Sequence, residues 1–148
     1  KVRFPLFTSR VNYRNHRKIV VIDGQVGFVG GMNLAERYMR GFSWGIWRDT
    51  HIMIEGKAVH GLQTAFLLDW YFVDRTLITA SRYFPKIDSY GNSLVQIVTS
   101  EPIGPWKEIM QGLTVAITGA RKYFYMQTPY FCRPNKYWLL CRRRHYPE

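Results

Sequence analysis

The stretch Asn15-His16-Arg17-Lys18-Ile19-Val20-Val21-Ile22-Asp23-Gly24 decides how the chain is read. Ile19 to Ile22 is an unbroken β-branched run, which suits a pleated strand. Asp23-Gly24 is a strong tight-turn signal, and Val26 to Val29 resumes an apolar strand, so Arg10 to Gly31 is expected to form a hairpin. In an extended segment residues two apart share a face. His16 and Lys18 are therefore expected to project together, with Arg17 on the other side. Asp23 stands at the far end of the strand, where a turn can return its carboxylate toward the ring or the ammonium. An imidazole beside an ammonium suits attack on a phosphodiester, because the cation neutralises the non-bridging oxygens. A lone histidine in a basic stretch is ordinarily a surface or structural residue. Here the spacing of three polar residues just before a glycine turn sets His16 apart.

Working outward, Gly30-Gly31 breaks the second strand, and Asn33 is expected to cap a helix starting over 33–38. A Gly- and Trp-rich loop over 40–49 leads to a strand from Thr50 to Glu55, ended by Gly56. Lys57 to Val73 reads as a helix, with Val59, Leu62, Phe66, Trp70 and Val73 recurring at helical spacing and facing a core. Residues 74–92 form a polar connection with Pro85 and Gly91. A strand from Leu94 to Thr99, a helix from Pro105 to Gly119 and an aromatic strand from Lys122 to Thr128 complete the pattern. Alternating strands and helices specify an α/β class, a mixed sheet flanked by helices. There is no internal repeat and no low-complexity segment.

The 148 residues suffice for one ordinary domain, and 47% hydrophobic content can supply its core, which argues against disorder. The net charge of +11 suggests nucleic acid until it is mapped. Residues 1–23 carry six Lys/Arg against Asp23, and residues 133–148 carry five against Glu148. The long middle has ten against eight, so the excess is two clusters and not a broad basic face. Positive charge gathered around a reactive centre suits a phosphate-bearing substrate. Cys132 and Cys141 fit no metal-ligand pattern and imply no disulfide framework, so a reducing compartment is expected. No run of about 18 apolar residues occurs, the length a membrane-spanning helix needs. The chain opens at Lys1 without an initiating Met or a signal-peptide pattern, as expected of an internal piece of a longer protein.

The pattern H-x-K-x4-D at His16, Lys18 and Asp23, followed by Gly30-Gly31-x-Asn33, closely resembles the signature of the phospholipase D superfamily. Asn12-Tyr13-Arg14-Asn15-His16-Arg17-Lys18 resembles the approach to the first catalytic motif of bacterial cardiolipin synthases. Trp47-Arg48-Asp49-Thr50-His51, Gly56 and Phe66-Leu67-Leu68-Asp69-Trp70 are similar to the segment after that motif, and Gln127-Thr128-Pro129-Tyr130-Phe131 to the strand end before the second lobe. The resemblance covers about Arg10 to Pro134. It implies one incomplete phospholipase D-type lobe over 1–131, whose active site needs a second His-Lys-Asp half. It implies that one histidine attacks the phosphorus of phosphatidylglycerol and the other serves as acid and then base, giving cardiolipin and glycerol. His16, Lys18 and Asp23 carry over as catalytic residues, and Asn33 as a substrate contact. Gly30 and Gly31 either let backbone approach the phosphate or simply end the strand. Lys and Asn take the charge-stabilising role in such sites, so no metal and no cofactor is expected. The implied partners are an anionic phospholipid, the second half-site and a membrane surface, with no nucleic acid. The implied location is the bacterial cytoplasmic membrane, held there through parts outside this chain.

The sequence departs from the pattern in two places. Only one H-x-K-x4-D is present: His51, His60 and His145 lack a lysine two residues on, and His51 and His60 are expected to be structural. From about Cys132 the sequence, with its Arg142-Arg143-Arg144 triplet, fits neither the helix nor the strand of the family, so 132–148 are expected to be a basic tail foreign to it. Two rival readings stay open. One is a superfamily phosphodiesterase or nuclease completed by homodimerisation, and the other is a non-catalytic module binding anionic lipid or nucleic acid.

Overall fold

The computed structural model describes residues 15–101 and 107–128. The chain forms two compact units, Lys1–Ile97 and Val98–Glu148. Several sequence expectations lie outside the described residues. These are the approach at Asn12 to Arg14, the start of the helix at Pro105, the Pro129-Tyr130-Phe131 end of the last motif, and the tail with Cys132, Cys141 and His145.

In the first unit, β1 (Ile19–Ile22), β2 (Val26–Gly30) and β3 (His51–Glu55) form a three-stranded sheet in that order. Each pair is antiparallel, with Val21 opposite Gly27 and Gly27 opposite Ile54. The hairpin expected from the β-branched run is present. Its turn closes with the Gln25 amide donating to the Ile22 carbonyl at 2.9 Å. Asp23 and Gly24 both have left-handed φ, 52° and 67°, the backbone that matches the twist of the flanking strands. Gly24 is buried, and a Cβ there would lie 2.6 Å from Pro85 Cδ.

α1 (Glu36–Arg40) is a single short turn with Ala35 at its N-cap and no side-chain cap. Asn33 therefore does not cap it, correcting the sequence expectation. The chain bends once more after Asn33, with the Ala35 amide donating to the Asn33 carbonyl at 3.1 Å. α2 (Val59–Asp74) runs as expected and ends on a left-handed Arg75. Val59, Leu62 and Ala65 are buried, and the helix packs on β1 and β2 with Leu62 over the bare face of Gly27.

The expected core stripe is right in its first half only. Phe66 and Trp70 are 42% and 45% exposed, and Val73 is 87% exposed. The reason is one of size. The helix is roughly 24 Å long, whereas strands of four and five residues, three abreast, cover roughly 10 by 16 Å. The last turns of α2 overrun the sheet.

The 74–92 connection folds back. His60 Nε2 lies 3.0 Å from the Pro85 carbonyl oxygen, and its ring packs edge-on against Phe84. Ile87 is buried. The expected strand over 94–99 is not formed, although Ile97 covers Gly61. In the second unit α3 (Glu108–Gly119) forms with Ile117 buried, and 122–128 is irregular where a strand is expected. Both segments have strand composition, but a strand exists only as a ladder, and among the described residues neither has a paired neighbour. The α/β class stands, with a sheet that is antiparallel throughout. Among the described residues no helix is long and apolar enough to cross a membrane.

Candidate active site

Residues 15–18 lead into β1 without belonging to its ladder. Alternation nonetheless governs them. Asn15, Arg17 and Ile19 turn toward α2, where they line a groove of about 310 Å³ together with Phe66, Asp69, Trp70 and Val73. Asp69 takes two short bonds there, from Asn15 Nδ2 to Oδ2 and from Arg17 Nη1 to Oδ1, each 2.6 Å. The Arg17 amide also donates to Asn15 Oδ1 at 2.8 Å. The Arg17 and Asp69 side chains are about 30% and 26% exposed. The pair is thus partly withdrawn from water, where a charge-assisted bond is stronger than on an open surface.

His16, between these two anchored residues, is exposed, and its imidazole has no hydrogen-bond partner among the described residues. Lys18 is half-buried and donates its ammonium to the His16 carbonyl oxygen at 2.6 Å. The Lys18 ammonium is thus held by the histidine's own backbone. The exposed ring can meet an anionic phosphodiester without breaking a hydrogen bond to the described residues.

Asp23 is not brought to them. It sits in the exposed hairpin turn, five residues beyond Lys18 and so roughly 16 Å away along the strand. No hydrogen bond or ion pair joins it to His16 or Lys18 among the described residues. The expectation that the turn returns its carboxylate to the ring is corrected: the left-handed φ of Asp23 and Gly24 continues the chain into β2. Asn33 donates its amide to the Tyr38 hydroxyl at 2.8 Å, a half-buried contact within its own loop.

Gly30 and Gly31 end β2, and the space a Cβ would need is already taken. At Gly30 it is filled by the Thr50 carbonyl oxygen and His51, and at Gly31 by the Asp49 carboxylate. What approaches these glycines is the neighbouring chain. Ile19 pairs with Val29, and on the other side of β2 Val29 pairs with Ile52 and Gly30 with His51. His51 Nδ1 is buried and has no hydrogen-bond partner among the described residues. Sequence reasoning expected His51 and His60 to be structural. His60 is held by Pro85 and Phe84, whereas His51 keeps a buried nitrogen unsatisfied, an uncommon and costly state. Sequence reasoning also passed over Asp69 and the arm it offers. The signals for it were an acid on the apolar face of a helix and its place in the family-like stretch Phe66-Leu67-Leu68-Asp69-Trp70.

No family model matches the chain, and no solved structure matches it. Curated relatives do. The cardiolipin synthase of Listeria innocua is 43% identical over 132 residues, 87% of this chain and 27% of that protein. The cardiolipin synthase of Listeria monocytogenes serotype 4a is 42% identical over the same shares. Cardiolipin synthase 2 of Staphylococcus epidermidis is 46% identical, again over 87% of this chain and 27% of the relative. The chain thus spans about a quarter of the length of the relatives it matches. Over 87% of its own length it is similar to one stretch of these bacterial cardiolipin synthases.

Proposed function

We propose that the chain supplies half of a phosphatidyl-transfer site, with His16 and Lys18 carrying the reactive chemistry. The observation that supports this most is the exposed imidazole of His16, without a hydrogen-bond partner among the described residues, on the residue whose carbonyl oxygen takes the Lys18 ammonium, in a chain similar to cardiolipin synthases. A histidine from a second half-site completes the pair. One of the two attacks the phosphorus of phosphatidylglycerol, forming an N–P bond as the P–O bond to glycerol breaks. The other protonates the departing glycerol oxygen. It then takes the proton from a hydroxyl of a second phosphatidylglycerol, whose oxygen displaces the phosphohistidine and yields cardiolipin. Lys18 neutralises the non-bridging oxygens as charge builds on them. Asn33 contacts the substrate phosphate, for which it must leave Tyr38. Asp23 acts through the turn that fixes the hairpin. The site works at a membrane surface on an anionic phospholipid.

The test is a chimera in which this chain replaces the matching stretch of the Listeria innocua relative, supplying the missing half-site. Conversion of phosphatidylglycerol to cardiolipin and free glycerol is the expected outcome. Cleavage of single-stranded DNA without lipid transfer would favour a nuclease. Lipid binding without turnover would favour a binding module. The isolated chain is expected to be inactive, since half of the acid–base pair is absent.

A further inference from the structure

We propose that Asp69 is a positioning residue for His16, a two-armed clamp on the residues either side of it. The proposal rests on the phosphatidyl-transfer reading for its functional consequence, though not for its geometry. Residues 15–18 precede the first ladder pair of β1, so the sheet does not fix their backbone. Asp69 does. One carboxylate oxygen holds Asn15 and the other holds Arg17, and the Arg17 amide bonds back to Asn15 Oδ1. These contacts bracket His16 and set the direction of its Cα–Cβ bond. The two arms reach across 54 and 52 residues of sequence, so the local chain cannot replace them. Asp69 itself lies on α2, whose first turns are anchored by buried Val59 and Leu62. Phe66 and Trp70 flank it on the groove wall. The poorly covered end of α2 thus has a use: it carries the acid that orders the segment holding the reactive histidine. A nucleophile or acid displaced by about 1 Å can lose on the order of 10²-fold in rate.

The geometric part is tested on the 148-residue chain by backbone ¹⁵N relaxation. His16 is expected to have an order parameter near ~0.85 in the wild type and below ~0.6 in Asp69→Ala, with Val20 and Val21 unchanged. Asn15→Ala and Arg17→Met each release one arm and should fall between these values, and Asp69→Glu should recover part of the order. Unchanged order at His16 in a folded Asp69→Ala overturns the clamp. Should that variant fail to fold, the Asn15→Ala/Arg17→Met double variant releases both arms from the other side, and unchanged order there overturns it equally. In the chimera, Asp69→Ala should lower kcat by about 10²-fold with KM within a few-fold, and Asp69→Glu should restore part of it. Loss of order at His16 with kcat intact overturns the positioning role. A wild-type chimera that makes no cardiolipin overturns the transfer reading instead and leaves the relaxation result standing.

Discussion

Leu62 and Gly27 form a lock whose two halves can be varied separately. Leu62 is 2% exposed, and its Cδ1 lies 2.6 Å from where a Cβ on Gly27 would stand. Leu62→Ala removes three carbons, a transfer loss of about 2.4 kcal/mol at about 0.8 per methylene, and the cavity left behind raises this to about 3–4 kcal/mol. For a domain with a total stability of roughly 5–15 kcal/mol that is a severe loss. Gly27→Ala alone forces the leucine tip aside. Overpacking costs about 1–3 kcal/mol, offset by about 0.4–1 from the restricted unfolded chain, since Gly27 does not have a positive φ. In the double variant the new methyl enters the space that Leu62 has vacated. The two changes should therefore couple favourably by about 1–2 kcal/mol. Urea denaturation followed by far-UV circular dichroism, with a slope of about 2 kcal/mol/M, would register Leu62→Ala as a midpoint shift of about 1.5–2 M. Additivity within about 0.5 kcal/mol would refute direct packing of α2 on β2 at this point.

Gly24→Ala is expected to destabilise the fold by about 2–3 kcal/mol, because it combines a left-handed φ with a Cβ pressed on Pro85 Cδ and the Tyr83 carbonyl oxygen; a change below about 0.5 kcal/mol in the same denaturation assay would argue against that turn. His51→Phe removes the orphaned nitrogen while keeping a ring, so stability should hold or rise by about 1 kcal/mol. A loss of more than about 1 kcal/mol would mean that Nδ1 has a partner in solution.

The parts of the fold that sequence made legible are those whose causes are local. The β-branched run, Asp23-Gly24 and the apolar stretch from Val26 supply both strands and the turn within twelve consecutive residues, 19–30, and helical spacing marks α2. The missed parts depend on partners distant in sequence. Phe66, Trp70 and Val73 carry the right periodicity, but nothing local reveals how far the sheet extends beneath them. The segments 94–99 and 122–128 have strand composition without a ladder. At the site, His16 and Lys18 could be chosen from spacing and chemistry. Asp69 could not be linked to them, because its bonds to Asn15 and Arg17 span more than fifty residues. Arg17 was rightly turned to the opposite face, yet that face is where the anchor lies. Asp23 was drawn toward the ring by its place in the motif, whereas its left-handed backbone commits it to the turn.

The central claim, that His16 and Lys18 do the chemistry, is tested most directly by measuring cardiolipin formation from phosphatidylglycerol in the chimera with one residue changed at a time. His16→Ala should lower turnover by at least about 10³-fold, because either the nucleophile or its acid partner is lost. Lys18→Ala should lower it by about 10²–10³-fold, the scale of removing one preorganised charge-stabilising donor. His60→Gln, altering a ring held among the described residues by Pro85 and Phe84, should stay within a few-fold of wild type. A folded His16→Ala variant that retains turnover within tenfold of wild type would contradict the assignment.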